Sequence, residues 1–376
     1  MASPDTLPAA PVLVLLSDAT AGVDAVILGL SLQERTRRAG RRAGYAQITA
    51  GQPPAADQPD GNLVVAPSDV LAEMDWLKSA AAYAGQQWAS GTNLVLVPAH
   101  QTLTALRILG QPGIAWSDLG HRLTEALDKP TPLPGSIEPM RVIDAADHRS
   151  AERRLLRALV KDTDGFMAKH VERPISLAIS HQLAATSITP NQMTLISVAF
   201  GLIGAPFFLS ATPVWQTIGA LLFLTHSILD GCDGELARLK FMESRWGGVL
   251  DFWGDNVVHS AIFSCMAIGW SWTIGAGWPL LLGLSAVLGT LGSAGFVYWR
   301  VMRPKTGTGP LYTSVSAEPG KGFTKLLDAL SRRDFIYLVV ALALFGRADW
   351  FLLLTAIGAP VFMILLIMTA ARESRR

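Results

Sequence analysis

The amino-acid sequence predicts an α-helical membrane bundle of six transmembrane helices, preceded by a juxtamembrane amphipathic helix and an N-terminal soluble α/β domain. Half of the 376 residues are hydrophobic and only 16% are charged, below the roughly 25% that is typical of soluble proteins. Residues 191–229, 256–299 and 350–371 contain no Asp, Glu, Lys or Arg. Since a spanning helix needs about 20 mostly apolar residues, these three stretches can hold two, two and one spans.

The soluble domain is expected over residues 1–145. Short apolar runs at 12–16, 63–65 and 94–97 alternate with segments of helical composition such as 31–43. Strands that alternate with helices are typical of a small α/β layer domain. The start of the chain has no basic residue before its first apolar run, so we expect no signal peptide there.

A linker and an amphipathic helix are expected over residues 146–187. The segment DGFMAKHVERPISLAISHQLAA mixes charged and apolar residues at helical spacing, directly before the first uncharged stretch. This pattern favours a helix that lies on the membrane surface. The alternative is an ordinary linker helix packed on the soluble domain.

The membrane bundle is expected over residues 188–376. Its spans are predicted at about 192–210, 213–231, 248–271, 277–300, 333–347 and 350–371. Basic residues gather in the connections after the second and fourth spans and in the tail, whereas the other connections have at most one. Under the positive-inside rule, both termini then face the cytoplasm and the protein lies in the cytoplasmic membrane.

Four aspartates next to uncharged spans are the main candidates for chemistry. Asp230 and Asp233 are three residues apart, and Asp251 and Asp255 are four apart, so each pair lies on one face of a helix. Two such faces on neighbouring antiparallel helices would bring the four carboxylates together near the cytoplasmic surface. Close anions need cations to neutralise them, and an oxygen-only ligand set indicates Mg²⁺ or Mn²⁺, not Zn²⁺.

The simpler interpretation of these acids is a solvated cytoplasmic loop in which Arg238, Lys240 and Arg245 pair with them. We adopt it for Glu235 and Glu243. It is insufficient for the four aspartates, because three basic residues cannot neutralise four acids on two faces flanked by apolar spans. The aspartates are therefore predicted to form a metal site.

The spacing of these residues resembles the signature of the CDP-alcohol phosphotransferase family. The signature here is Asp230-x2-Asp233-Gly234-x2-Ala237-Arg238-x8-Gly247-x3-Asp251-x3-Asp255. The segment SITPNQMTLIS similarly resembles the entry to the first span of that family. The resemblance covers about 160–376 and implies a usually dimeric six-helix bundle in the lipid bilayer. It implies Mg²⁺- or Mn²⁺-dependent transfer of a phospho-alcohol group from a CDP-alcohol to an acceptor hydroxyl, with release of CMP.

The resemblance also implies roles for individual residues. Asp230, Asp233 and Asp251 would bind metal. Asp255 would be the base that deprotonates the acceptor hydroxyl, and would also touch a second metal. The CDP-alcohol pocket would be formed by Pro190, Asn191, Thr194, Gly234, Ala237, Arg238 and Gly247.

Within the family, DGFMAKHVERPIS and GCDGELARLK resemble the branch that contains di-myo-inositol phosphate phosphate synthase. In that branch an N-terminal nucleotidyltransferase domain makes a CDP-alcohol, such as CDP-inositol, for the membrane domain. LGLSLQERTRRAGRRAGY resembles an early helix of such a domain, but LVLLSDATAGVD stands where its Gly-rich phosphate loop is expected. We therefore interpret residues 1–145 as a degenerate, non-catalytic domain of this type.

An acceptor that carries a phosphate would need cations at the cytoplasmic mouth, and Arg300, Arg303 and Lys305 are the candidates. The alternative for these residues is ordinary positive-inside flanking. The branch implies an inositol-phosphate-like or other polyol acceptor, whereas CDP-diacylglycerol with inositol phosphate or glycerol phosphate is the main variant. His226, on an apolar span, is predicted to be a packed, hydrogen-bonded residue and not a ligand.

Two other classes of protein remain as alternatives. An aspartate-rich intramembrane prenyltransferase also binds Mg²⁺-diphosphate, but its Asn-x3-Asp-x3-Asp pattern does not fit Asp-x2-Asp-Gly-x2-Ala-Arg. A non-enzymatic membrane-anchored nucleotide sensor would keep the soluble domain intact and lose the acidic site, which is the reverse of what the sequence has. The net charge of +1 argues neither for nor against nucleic acid, and the family implies no nucleic-acid partner.

Overall fold

The computed structural model describes residues 10–16, 25–50, 61–84, 88–127, 129–133, 135–160, 164–303 and 335–373. The chain divides into two units, Met1–Arg157 and Ala158–Arg376. The predicted position of the phosphate loop, 17–24, lies outside the described residues, as does Lys305.

The first unit is an α/β layer, as predicted. Its strands are β1 Val12–Leu16, β2 Val26–Ile27, β3 Leu30–Ser31, β4 Gln47–Ala50, β5 Leu63–Pro67, β6 Ala89–Ser90, β7 Val95–Val97 and β8 Thr131–Pro132. Its helices are α1 Leu32–Ala43, α2 Met74–Ala84, α3 Ala99–Leu109, α4 Trp116–Ala126 and α5 Ala145–Arg157. A six-stranded sheet has the order β4-β1-β5-β7-β6-β8, while β2 and β3 form a separate hairpin.

The centre of the sheet is set by the two most apolar strands. Every residue of β1 and β5 is buried, as expected for strands covered on both faces. They pair in parallel, with Val14 opposite Val65, and β4 joins the other side of β1 in parallel. Directly after β5, the buried carboxylate of Asp69 accepts hydrogen bonds from Arg141 Nε and Nη2 at 2.9 and 2.6 Å.

The second unit is helical. After a single π-helical turn, Ala168–Glu172, its helices are α6 Arg173–Ala184, α7 Pro190–Gly204, α8 Pro213–Lys240, α9 Arg245–Ile274, α10 Trp278–Val297, α11 Phe335–Leu344 and α12 Ala348–Glu373. A 3₁₀ turn, Ala205–Leu209, extends α7, and a π-helical turn, Tyr298–Met302, extends α10.

Four of these helical segments are long and apolar enough to cross a membrane: Pro190–Leu209, Arg245–Ile274, Trp278–Met302 and Ala348–Ala371. The unit therefore has the character of a membrane protein, as predicted. The other two predicted spans correspond to α8, which carries several charged residues, and to the 10-residue α11. Large apolar side chains remain exposed on the outer surfaces of α7, α10 and α12, as expected for faces that meet lipid.

Local signals fix where the helices around the aspartates begin and end. Thr189 and Gln192 form a capping box, and Pro190 occupies the first turn of α7. α8 ends at Phe241, whose φ of 55° is left-handed. α9 begins after Ser244, whose Oγ accepts a hydrogen bond from the Gly247 N–H at 3.0 Å.

Candidate metal and nucleotide site

Three carboxylates from two helices meet in the second unit. One oxygen each of Asp230, Asp233 and Asp251 lies within 4.8 Å of the other two. Asp230 and Asp233 are on α8, where the three-residue spacing places both on one face, and Asp251 is in the second turn of α9. Helix α7 packs against both α8 and α9 and so holds the two acidic faces near one another.

Thr194 fixes one of these carboxylates from α7. Thr194 is 2% exposed, and its hydroxyl donates a hydrogen bond to Asp233 Oδ2. The hydroxyl oxygen of Thr194 also lies 3.2 Å from the carbonyl oxygen of Pro190, one turn earlier on α7. A residue predicted to line the nucleotide pocket therefore also orients a predicted metal ligand.

The donor set fits a hard divalent cation. All three side chains offer oxygen, which Mg²⁺ and Mn²⁺ prefer. The Oδ1 atom of Asp251 is buried and accepts no hydrogen bond. Buried carboxylates at this separation repel one another unless a cation or protons neutralise them. Asp230, Asp233 and Asp251 could thus hold such an ion together.

Asp255 lies one turn after Asp251 on α9, outside this group of three. Its Oδ1 is 3.5 Å from Nε2 of His226, a buried residue of α8. His226 Nδ1 donates to the Ser197 carbonyl at 2.9 Å, since a carbonyl can only accept. The prediction of a packed, hydrogen-bonded His226 is confirmed, but its position beside Asp255 was not foreseen from the sequence.

Two glycines leave space on either side of the carboxylates. A Cβ at Gly247 would lie 2.9 Å from Asn191 Oδ1, so a side chain there would displace the end of the Asn191 side chain where the start of α9 approaches α7. At Gly234 an added Cβ would lie 3.4 Å from Nη1 of Arg238, so this guanidinium covers the glycine. The Nε atom of Arg238 is buried and makes no hydrogen bond.

The remaining predicted pocket residues occupy the same end of these helices. Pro190 is buried at the start of α7, and the carbonyl of Ala237 accepts from the Met242 N–H at 2.8 Å, closing the end of α8. The predicted pocket therefore gathers backbone from the start of α7, the end of α8 and the start of α9. That the pocket binds a nucleotide remains a prediction.

The candidate acceptor residues lie at the end of α10. Arg300 Nη2 reaches the Ala370 carbonyl at 3.3 Å, and the guanidinium of Arg303 lies 4.1 Å over the Trp299 ring. Arg245, at the start of α9, donates to the Arg303 carbonyl at 3.0 Å. Their assignment to an acceptor phosphate also remains a prediction.

The prediction for Glu235 was wrong. Instead of pairing in a solvated loop with Arg238, Lys240 or Arg245, it is fully buried and accepts from Arg173, Ser176 and Ser180, each at 2.7 Å. These partners are 55 to 62 residues earlier in the chain. The only signal in the sequence was a polar stripe at helical spacing, Arg173, Ser176 and Ser180, in a segment that was expected to face the membrane surface.

Comparison with known proteins places this site in a family. Residues 187–318, which include the three-carboxylate cluster and Asp255, match the model of the CDP-alcohol phosphatidyltransferase family. The family predicted from the signature is thereby confirmed for this part of the chain, and the match favours a CDP-alcohol phosphotransferase over both the intramembrane prenyltransferase and the non-enzymatic sensor.

Several curated proteins are similar to part of the chain. A bifunctional IPC transferase and DIPP synthase of Thermococcus kodakarensis is 38% identical over 120 residues, which cover 32% of this chain and 27% of that protein. The protein of the same description from Archaeoglobus fulgidus is 38% identical over 123 residues, covering 32% and 24%. An archaetidylinositol phosphate synthase of Pyrococcus horikoshii is 32% identical over 100 residues, covering 26% and 50%. The chain thus matches 24 to 50% of the length of these relatives.

Proposed function

Because the chain carries a CDP-alcohol phosphatidyltransferase domain at residues 187–318, we propose that it transfers a phospho-alcohol group from a CDP-alcohol to the hydroxyl of an acceptor alcohol and releases CMP. The observation that carries this proposal is the meeting of Asp230, Asp233 and Asp251 beside Gly234 and Arg238. Anionic oxygens beside an open backbone and a buried guanidinium suit a metal-bound diphosphate.

The reaction makes one P–O bond and breaks another. The acceptor oxygen attacks the phosphorus distal to cytidine, the bond from that phosphorus to the bridging oxygen breaks, and CMP leaves with the electron pair. Asp255 takes the proton of the acceptor hydroxyl. The His226 imidazole lies 3.5 Å from the Asp255 carboxylate. Asp230, Asp233 and Asp251 would bind Mg²⁺ or Mn²⁺, which supplies charge neutralisation on the diphosphate.

Arg238 has a different task. Its guanidinium lies against Gly234, the residue after Asp233, where it can donate to phosphate oxygens without displacing a side chain. Thr194 keeps Asp233 turned toward the cluster, and Asn191 lies where the start of α9 meets α7. Pro190, Ala237 and Gly247 complete the predicted pocket with backbone and small side chains.

For the substrates, we favour an inositol-phosphate-like or other polyol phosphate acceptor. The basis is the similarity to proteins named archaetidylinositol phosphate synthase and phosphatidylinositol phosphate synthase. The donor in this proposal is CDP-inositol or CDP-diacylglycerol. Arg300 and Arg303, with Arg245 beside them, offer cations for the acceptor phosphate.

We further propose six spans with both termini and the active site on the cytoplasmic side, and a homodimer in the membrane. The 28 residues of α8 give a helix of about 42 Å, longer than a hydrocarbon core of about 30 Å. Its apolar first part can cross, while Asp230, Asp233 and Arg238 emerge at one end. For residues 1–145 we propose a degenerate nucleotidyltransferase-like domain, because LVLLSDATAGVD stands where the Gly-rich phosphate loop of such a domain is expected.

The test is CMP release by the purified full-length protein. Mg²⁺ or Mn²⁺ is supplied with CDP-diacylglycerol or CDP-inositol and a panel of alcohol phosphates, and the active donor identifies the branch. Absence of CMP with every metal, donor and acceptor would refute the proposed activity.

Asp255→Asn tests the base. We expect kcat to fall by about 10²–10⁴-fold, the usual contribution of positioned proton transfer, while binding of the CDP-alcohol is retained. Asp349→Asn, at the start of α12, is the matched control and should leave the rate unchanged. Wild-type turnover by Asp255→Asn would reject the assignment.

A further inference from the structure

The juxtamembrane segment is bound to the back of α8 by polar side chains. Glu235 is fully buried, and Arg173 Nη1, Ser176 Oγ and Ser180 Oγ each donate to its carboxylate at 2.7 Å. One turn and two turns earlier on α8, Cys232 Sγ lies 3.5 Å from the Ser176 carbonyl and Ser227 Oγ donates to Glu172 Oε2 at 3.2 Å. A continuous stripe of α8 is thus hydrogen-bonded to one neighbouring segment.

Arg173 connects two carboxylates within this contact. Its Nε and Nη2 donate to Asp164 at 2.8 and 3.1 Å, while Nη1 donates to Glu235. Burial lowers the pKa of the Arg173 guanidinium, but its hydrogen bonds and charge attraction to Asp164 and Glu235 outweigh this and leave the pKa raised. Glu235 is therefore buried, and Arg173, Ser176 and Ser180 all donate hydrogen bonds to it.

Glu235 lies on the side of α8 away from the metal cluster. Successive helical residues are rotated by about 100°, so Glu235 lies about 200° round the helix from Asp233 and about 140° from Asp230. Contacts that hold one face of a helix in place also determine the orientation of the opposite face. The contact through Glu235 therefore sets how Asp230 and Asp233 face Asp251 on α9.

We propose that Glu235 is a positioning residue, which holds the rotational setting of α8 through Arg173, Ser176 and Ser180 and so tunes the affinity of the aspartate cluster for its divalent cation. This inference rests on the metal site of the proposed function. The juxtamembrane helix is then part of the catalytic architecture as well as a membrane-surface element.

A small rotation has a large effect at a metal site. Side-chain ends lie about 5–6 Å from the helix axis, so a turn of about 10° moves a carboxylate oxygen by about 1 Å. Metal–oxygen distances tolerate only about 0.2 Å. Loss of the groups that orient metal ligands commonly lowers metal affinity by about 10–100-fold.

The experiment measures Mn²⁺ binding to the full-length protein in detergent, from the EPR signal of free Mn²⁺, beside CMP release and thermal unfolding. We expect Glu235→Gln to raise the Mn²⁺ Kd about tenfold. Arg173→Lys, which keeps a positive charge at Glu235, should bind Mn²⁺ more tightly than Arg173→Met. Glu125→Gln, at an exposed glutamate of α4, is the matched control and should change nothing.

Ser180→Ala removes one of the three hydrogen-bond donors to Glu235 and keeps the ion pair with Arg173. If Glu235→Gln does not fold, the Mn²⁺ Kd of Ser180→Ala tests the inference in its place. A Mn²⁺ Kd within twofold of wild type in the folded variants would show that the contact serves stability alone, and the inference would be overturned. Wild-type protein that binds Mn²⁺ but releases no CMP would contradict the proposed activity and not this inference. Wild-type protein that binds no Mn²⁺ would contradict both.

Discussion

Replacing Gly247 with Ala is expected to weaken the binding of the CDP-alcohol, with a cost of about 1 kcal/mol to folding. The added Cβ would lie 2.9 Å from Asn191 Oδ1 and 3.0 Å from Ser244 Oγ, closer than Cβ contacts normally are. Both atoms are ends of short side chains, so they can move where backbone could not. The substitution therefore displaces Asn191, in the predicted nucleotide pocket, and disturbs the cap that starts α9.

The magnitude follows from two costs. Forcing an extra methyl group into a packed site costs about 1–3 kcal/mol. Loss of an N-cap hydrogen bond costs about 1 kcal/mol, and here the cap donor is Gly247 itself. If about 1–3 kcal/mol is taken from donor binding, affinity falls by roughly 5–150-fold, because each 1.4 kcal/mol is a factor of ten.

The assay is the initial rate of CMP release against CDP-alcohol concentration, with thermal unfolding in parallel. Gly295→Ala is the matched control, because it is also a helical glycine and an added Cβ there meets no atom within 4 Å. It should keep the wild-type KM and be neutral or slightly stabilising.

A KM within twofold of wild type in Gly247→Ala would refute the reasoning, since the pocket would then tolerate a displaced Asn191. An equal rise in KM for Gly295→Ala would also refute it, because the effect would not depend on the close approach to α7. A fall in unfolding temperature without a change in KM would show that Gly247→Ala weakens the N-cap of α9 and does not affect the nucleotide pocket.

Two further substitutions probe other contacts. Thr194→Val removes the hydroxyl that donates to Asp233 and should raise the Mn²⁺ Kd about tenfold, because a hydrogen bond to a charged group contributes about 1.5–3 kcal/mol. The control is Thr225→Val, whose hydroxyl bonds only within α8 and which should leave the Kd measured by EPR unchanged. Equal Kd values in the two variants would contradict the role of Thr194. Arg141→Met leaves the buried carboxylate of Asp69 without its guanidinium and should destabilise the first unit by about 3 kcal/mol. Arg154→Met, at an exposed pair, should cost about 1 kcal/mol or less. Denaturant unfolding is followed by limited proteolysis, and similar midpoints for the two variants would show that the Asp69 pair is not buried in solution.

Local pattern was sufficient where each residue's environment depends on its neighbours in sequence. The apolar runs at 12–16 and 63–65 became β1 and β5, and the helix expected at 31–43 became α1. Uncharged stretches placed the membrane helices, although their ends moved by several residues because capping decides them. The two-residue strands β2, β3, β6 and β8 were missed, because strands this short exist only through their pairing partners.

The candidate site was predicted in part for the same reason. Asp230 and Asp233 share a helix, so their spacing alone placed them on one face, and the signature located Asp251 on the facing helix. The sequence did not reveal that Asp255 lies beside His226 or that Thr194 bonds to Asp233. These distances depend on how α7 fits between α8 and α9.

The sequence by itself predicted the class of protein, the family that residues 187–318 match and the carboxylates that are candidate metal ligands, because hydropathy, helical period and fixed motif spacing are properties of short segments. Only the tertiary structure decided which groups touch. Glu235 was expected in a solvated loop, yet it is buried against Arg173, Ser176 and Ser180, because a segment some 60 residues earlier folds back onto α8. A buried charge needs partners, and which residues supply them is settled by long-range packing and not by neighbours in the chain.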